Sequence, residues 1–389
     1  MIPLRYNVRS LLVRRTTSLA TLIGVALVVF VLATALMLTA GIDKTLAASG
    51  SSDHVVVLRK GSDAEMASSI ETSALSMVLA GPGVKKDSAG KPIGSGEIVT
   101  VILGDKADGS GGVSNVLVRG VADNVMELRP EAHVIEGRPA RPGSDEVIIG
   151  RAIRGRFKGM DLGQHFDLKK NRPLTVVGVF EDGGSSFESE VWADVETVRS
   201  SFGREGTVTS ATVTLDSPSK HDAFKLAVEQ DKRLGLEVLR ETTYYEKQSE
   251  ATSMLMAVLG WVISVFFIIA AVIGAFITMN TAVAHRKREV GTLRAIGFSR
   301  RAILMSFTLE CIVLAMTGAA IGVVLASLMS FVRFSVINWA SWSEIVFTFQ
   351  MTPGIVVTSV IVGGMTGLLG GIIPAFRASR MRPIDALRA

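Results

Sequence analysis

Four stretches of this chain carry no polar rhythm at all. Residues 19–40, 251–284, 311–332 and 345–376 run for 22, 34, 22 and 32 positions without a charged side chain. A hydrocarbon core of about 30 Å is crossed by about 20 helical residues, so each stretch is long enough to span a bilayer. Buried helices of a soluble domain are the alternative, but four uncharged runs of this length argue against it. The expected helices are TM1 at 19–40, TM2 at 253–284, TM3 at 302–332 and TM4 at 353–376. The fold class that follows is an α-helical membrane protein with four transmembrane helices and a large mixed α/β extracytoplasmic domain between helices 1 and 2.

That domain, residues 41–252, alternates between strand and helix periods. DHVVVLR (53–59) and EIVTVILG (97–104) read as strands, with a helix over 63–80 that starts near Asp63. The order recurs later as a strand at 207–215, a helix at 219–233 and a strand at 236–241. The two flanks, about 50–111 and 207–245, predict a membrane-proximal β-α-β subdomain. A Gly- and Pro-punctuated stretch between them, 112–206, predicts an inserted β-rich subdomain carrying VLVRGV, EVIIG, PLTVVGVF and SEVWAD. Residues 81–96 read as an exposed loop.

Charge then sets the orientation. Segments 1–18, 285–301 and 377–389 hold 14 Lys/Arg against two acids, Glu289 and Asp385, whereas residues 41–250 hold 26 Lys/Arg and 32 Asp/Glu. The positive-inside bias puts both termini and the 285–301 segment in the cytoplasm and the large domain outside, in the periplasm if the membrane is an inner one. The net charge of +5 and pI near 9.4 thus report topology and not nucleic-acid binding. Residues 2–15 place Ile2, Leu4, Val8, Leu11 and Leu12 among four arginines, as a short amphipathic helix on the membrane surface would. TM1 is longer than the apolar core of a signal peptide, which favours an uncleaved anchor. The single Cys311 allows no intrachain disulfide.

Length adds a mechanical expectation. A helix of 34 residues extends about 51 Å, well past the hydrocarbon core, so TM2 is expected to continue outward as a stalk. TM4 repeats Gly363, Gly367 and Gly371 at helical spacing and TM3 carries Gly318 and Gly322, a pattern that lets helix backbones approach closely. Trp339, Trp342, Phe347 and Phe349 in the loop 333–352 suit an aromatic belt at the outer interface.

Candidate chemistry is sparse. His54, His133, His165 and His221 have no metal-ligand spacing. A nucleophile-elbow pattern is missing. The stretch GVKKDSAGKP (83–92) ends in Gly-Lys like a phosphate loop, but six residues separate its glycines where four are required, and Pro92 replaces the hydroxyl residue. The expectation is a chain that is no enzyme by itself, binding no cofactor or metal. Glu310 is the exception in kind. It lies about 12 Å into TM3, where a carboxylate is costly. Arg294, Arg300 and Arg301 are candidate partners, and a role in coupling or proton movement is the other reading.

The segment AHRKREVGTLRAIGFSRR (284–301) sets Val290, Leu293 and Ile296/Gly297 in an apolar stripe among basic residues, with Glu289 able to pair with Arg286. A helix that only lay on anionic lipid would need the charges and little else, so a protein-docking helix is expected.

These residues resemble the MacB/FtsX/LolC family of four-span ABC transporter permeases, in which an Arg-Glu-x-Gly-x-Leu-Arg-Ala-x-Gly run follows the second span. Arg288, Glu289, Gly291, Leu293, Arg294, Ala295 and Gly297 match it one by one. The end of the chain resembles the family ending through Pro374, Ala375, Ala378, Ser379, Pro383, Asp385, Ala386, Leu387 and Arg388, with Asp385 where Glu is usual. EGRPARPGSDEVIIG and LTVVGVFEDGG are similar to the outer-domain insert of MacB-type members.

The resemblance implies a permease dimer, formed with a second copy or a paralogue, above ABC ATPase subunits that hold ATP and Mg. It makes 285–301 the coupling helix and implies mechanotransmission: motion passes through the stalks to the outer domains and acts on cargo outside the membrane. Candidate cargoes are lipoproteins, peptides or amphiphilic compounds. A MacB-like efflux system implies a periplasmic adaptor and an outer-membrane channel, and lipoprotein release implies a carrier. The family commonly has an acid at the position of Glu310. An FtsX-like regulator of cell-wall hydrolases is the alternative, less favoured because the outer domain is large.

Overall fold

The uncharged stretches form helices because nothing in them offers the backbone a better partner than itself in an apolar setting. A computed structural model describes residues 15–381. The amphipathic helix expected over residues 2–15 lies, but for Arg15, outside the described residues, and so do the motif positions 383–388. Among the described residues, four helices are long and apolar enough to cross a membrane: α1 (Arg15–Ala47), α6 (Glu241–His285), α8 (Arg300–Ser327) and α9 (Pro353–Ser379). The chain divides into two compact units, Met1–Gly41 with Met254–Arg333 and Thr348–Ala389, and Ile42–Ser253 with Phe334–Phe347.

In the helical unit the small residues do what their spacing allows. A methyl group added at Gly367 would lie 2.2 Å from Ala315 Cβ, and one at Gly371 2.2 Å from Cys311 Sγ, so the α9 backbone packs directly on the small side chains of α8. Gly363 meets Ala319 on the same helix and Val29 on α1. Gly318 and Gly322 approach α1, where added methyls would sit 2.8 Å from the Leu22 carbonyl oxygen and 2.6 Å from that of Ala26. Gly370 faces Ala275 on α6. With helix backbones this close, dispersion contacts replace the hydrophobic effect that lipid cannot supply. Gly367→Val is expected to cost about 1–3 kcal/mol by overpacking, seen as a lower folded yield of detergent-extracted protein in size-exclusion chromatography; a wild-type profile would contradict this packing.

The outer unit is built on a mixed ten-stranded sheet. Its order is β12 (Leu236–Arg240), β1 (His54–Arg59), β11 (Ser210–Thr214), β3 (Gly94–Asp105), β4 (Val113–Val121), β9 (Glu190–Asp194), β6 (Glu146–Gly150), β8 (Arg172–Glu181) and β5 (His133–Gly137), with β7 (His165–Lys169) added on β8. Strands β4 and β9, and β6 and β8, run parallel; the other pairs are antiparallel. Helices α2 (Thr72–Leu79), α4 (Val195–Phe202) and α5 (His221–Gln230) bury Val78, Val198, Phe224 and Val228 in one core with β1, β3, β4, β6, β8 and β9. A short turn of helix, α3 (Val125–Leu128), follows β4.

Three differences from the sequence reading have physical causes. The flanks and the insert share one sheet and one core, because β3 pairs β11 on one side and β4 on the other. The helix expected at 63–80 is confined to Thr72–Leu79: Ile70–Glu71 (β2) pairs with Thr207–Val208 (β10), and Glu65 is drawn into the interior. The loop at 333–352 is a β-hairpin, β13 (Arg333–Ile337) and β14 (Glu344–Thr348), whose residues 334–347 belong to the outer unit. Arg156 donates to Glu344 at 2.6 Å and the Val346 amide donates to Ser189 Oγ at 3.0 Å, fixing the hairpin there. Phe347 and Phe349 are buried, so only Trp339 and Trp342 remain available to a belt.

Candidate functional site

Helix α6 ends at His285, and Arg286 breaks the helix before α7 (Lys287–Ala295) begins. The far end of α7 closes with two backbone bonds, Phe298 N–H to the Leu293 carbonyl at 3.1 Å and Gly297 N–H to that of Arg294 at 3.2 Å. This closure needs a left-handed residue, and Gly297 supplies it with φ of 104°. Arg294 also donates to the Phe298 carbonyl at 3.1 Å, and Ser299 caps α8 by accepting from Ala302 N–H. Segment 286–300 is therefore a defined helix-turn-helix and not a loose basic loop.

The apolar stripe expected on α7 divides between two faces. Val290 and Gly291 are buried, Val290 in a cluster with Met279, Val283, Ile303, Phe307 and Ala375, while Leu293 and Arg294 are half-buried. Ile296 is 71% exposed, with Arg288, Glu289, Thr292 and Ala295 on the exposed side. Val290 is thus occupied by the chain's own helices, because α7 folds back over the ends of α6, α8 and α9. What α7 offers to a partner is mainly polar, with Ile296 as its apolar point.

Arg286 is buried at the junction and reaches in two directions. Its Nη1 donates to Glu310 Oε2 on α8 at 3.0 Å, and its Nε lies 3.3 Å from Glu289 Oε2. The guanidinium carbon sits 5.8 Å from the centre of the Phe307 ring. The Arg286–Glu289 pairing agrees with the spacing in the sequence. The Glu310 partner does not: Arg294 turns to its own backbone, Arg300 and Arg301 are exposed, and Arg286 takes the carboxylate. Arg286 can reach Glu310 because the helix break turns its side chain inward between α6 and α8. Removing one partner of such a buried pair strands a charge, at a cost of about 3–5 kcal/mol.

A family model described as MacB-like periplasmic core domain matches residues 16–231, and one described as FtsX-like permease C-terminal matches residues 261–383. The chain belongs to the MacB/FtsX-like permease family. Among relatives of this family member is the macrolide export ATP-binding/permease protein MacB of Burkholderia cenocepacia (strain HI2424), 29% identical over 289 residues that cover 70% of this chain and 41% of that protein. The protein of the same name from Neisseria gonorrhoeae (strain ATCC 700825 / FA 1090) is 26% identical over 284 residues, covering 69% and 42%. The MacB/FtsX-like chain thus aligns with about two fifths of the length of these relatives. The crystal structure of the periplasmic region of MacB from Actinobacillus actinomycetemcomitans aligns with a TM-score of 0.38 and 12% identity, over 53% of this chain and 96% of that one.

A second constellation, in the outer unit of this permease-family chain, escaped the sequence reading. Arg119 on β4 is 1% exposed and meets three glutamates. Its Nε and Nη2 grip Glu190 at 2.7 and 2.9 Å, and its Nη1 donates to Glu65 at 2.9 Å and Glu97 at 2.6 Å. Arg129 donates to Glu241 at 3.0 Å, and Glu241 also accepts from the Ser51 amide and pairs with His54 Nδ1 at 2.9 Å. Phe187 stacks under Arg129, 3.9 Å from the guanidinium carbon to the ring centre. Burial pushes the Glu190 carboxyl up against the opposing pull of Arg119. Burial acts the same way on Glu65, but there the charge and hydrogen bonds of Arg119 prevail and hold it below its ordinary value. The sequence signal was a charge inside each of two apolar strand patterns, Arg119 in VLVRGV and Glu190 in SEVWAD. A charge in a strand with both faces covered must find a countercharge.

Proposed function

We propose that this chain is the permease subunit of an ABC transporter, driven by ATP hydrolysed in a separate ATPase that docks on the exposed face of α7. The observation that carries the reading is Arg286: it stands where the 45-residue α6 meets α7 and is clamped to α8 through Glu310. A push on α7 cannot move α7 alone; it must shift α6 and α8 with it. Because α6 is one continuous helix from Glu241 to His285, it is the element suited to carry that displacement outward as a rigid rod. In this reading Arg288, Glu289 and Ile296 meet the ATPase, Gly291 and Val290 let α7 lie close to the bundle, and Gly297 fixes its exit angle. ATP and Mg belong to the ATPase partner.

The working form is a dimer with a second copy or a paralogue in the inner membrane, both termini cytoplasmic and residues about 41–252 periplasmic. Only 11% of the most apolar stretch of α6 is buried, against 33–39% for the other three helices, which leaves surface for such a partner. Cargo is moved on the outer side of the membrane. Two relatives are named for macrolide export, which favours an amphiphilic compound over a lipoprotein, with an adaptor and an outer-membrane channel completing the path.

The test is affinity purification of the full-length chain from native membranes, beside the double variant Arg288→Glu/Ile296→Asp. The wild type is expected to bring down an ABC ATPase, and the variant to insert normally but lose about 90% of it, as a like-charge contact and a buried acid at an interface would cause. Equal ATPase recovery from both would remove α7 as the docking element; none from the wild type would remove the transporter reading.

A further inference from the structure

A polar cleft of about 340 Å³ opens within the outer unit where the chain leaves α1 and enters β1. Arg129 and Glu241 line it as an ion pair at 3.0 Å, and His54 Nδ1 lies 2.9 Å from the same carboxylate. The acids that remain are not balanced. Asp182 lines the cleft at 6% exposure, accepts a hydrogen bond from Ser185 Oγ at 2.5 Å, and has no ion-pair partner among the described residues. Asp53, Glu127 and Glu131 stand exposed around it, against the single cation Lys85.

Burial raises the Asp182 carboxyl above its ordinary value. Ser185 and Arg129 offset this in part, while Glu131 and Glu188 add to it. An approaching positive charge would favour the ionised carboxylate and so offset both its burial and the repulsion from Glu131 and Glu188. A second observation is independent of the acids. Thr214 lines the same cleft at 7% exposure, and its hydroxyl has no hydrogen-bond partner among the described residues. A buried hydroxyl without a partner is a cost that a ligand donor or acceptor removes. Ile93 and Pro130 add an apolar wall. Among the described residues no three side chains converge as metal ligands do, so the charge the cleft suits is carried on an organic body.

We infer that this cleft is a binding site for a small organic cation, its ammonium group set against Asp182 and Glu131 and its apolar part on Ile93 and Pro130. The site is independent of the coupling assignment: it needs neither the ATPase nor transport to be occupied.

The test uses the full-length chain in zwitterionic nanodiscs, with benzylamine as the probe and benzyl alcohol and benzoate as its neutral and anionic counterparts. Saturation-transfer NMR is expected to show benzylamine bound and the other two at the level of empty nanodiscs. Asp182→Asn, which can still accept from Ser185, is expected to weaken benzylamine about tenfold through loss of the charge-assisted contact. Should that variant fail to fold, the exposed pair Asp53→Asn/Glu131→Gln decides, with an expected weakening of about threefold or more. Equal binding of the three probes overturns the inference, and so does unchanged benzylamine affinity in a folded Asp182→Asn protein or, where that variant does not fold, in the surface double variant.

Discussion

Arg119→Ala is expected to unfold or nearly unfold the outer unit. The side chain is 1% exposed and serves Glu65, Glu97 and Glu190, so its loss leaves three carboxylates facing one another in the interior. Breaking one buried pair costs about 3–5 kcal/mol, comparable to much of a domain's stability. At 2–4 °C per kcal/mol for a unit of this size, the melting temperature should drop by roughly 10 °C or more. Trp192 fluorescence of the full-length protein in detergent reports it, since Trp192 is buried and donates to Glu190 at 3.0 Å. Arg119→Lys is expected to rescue little, because one ammonium cannot reproduce a fork that holds both oxygens of Glu190 while donating to two more acids. Adding Glu97→Gln and Glu190→Gln to Arg119→Met should recover stability, since neutral amides remove the repulsion. A melting temperature within 2 °C of wild type for Arg119→Ala would show that the cluster does not hold the domain together.

The second large effect is expected at Arg286. Arg286→Ala removes from the helical unit the guanidinium that donates to the buried Glu310 and lies beside Glu289. If Arg286 is the pivot between α6, α7 and α8, the ATPase should still bind the exposed face of α7, yet its turnover should no longer drive transport. A fall of about tenfold or more in transport per ATP is expected, since a lost contact of 1.4 kcal/mol already amounts to a factor of ten. The exchange Arg286→Glu/Glu310→Arg restores the pair in reverse and is expected to recover part of the coupling. A merely structural defect would instead reduce insertion and ATPase binding together. Full coupling in Arg286→Ala would remove the pivot from the mechanism, whatever the family resemblance.

The two clusters differ in how visible they were beforehand. Glu310 stood out in the sequence because one acid in a long apolar helix is conspicuous by composition alone. Its partner did not, because Arg286 is 24 positions away and the pairing depends on a helix break turning that side chain inward. The Arg119 network was less visible still. Its three glutamates come from a 3-10 turn and two strands, so neither spacing nor periodicity connects them.

The chain's own order of residues determined the four spanning helices, the large domain between the first two, and the α7 motif that places it among these permeases. Those features are local: uninterrupted apolarity, a run of small residues and a basic segment each lie within one continuous stretch of the chain. Only the tertiary structure decided that flanks and insert share one sheet, that residues 334–347 join the outer unit, that Val290 faces inward, and which charges meet in the interior. These are contacts between distant positions, and their energies depend on shared burial, which no single stretch of sequence carries.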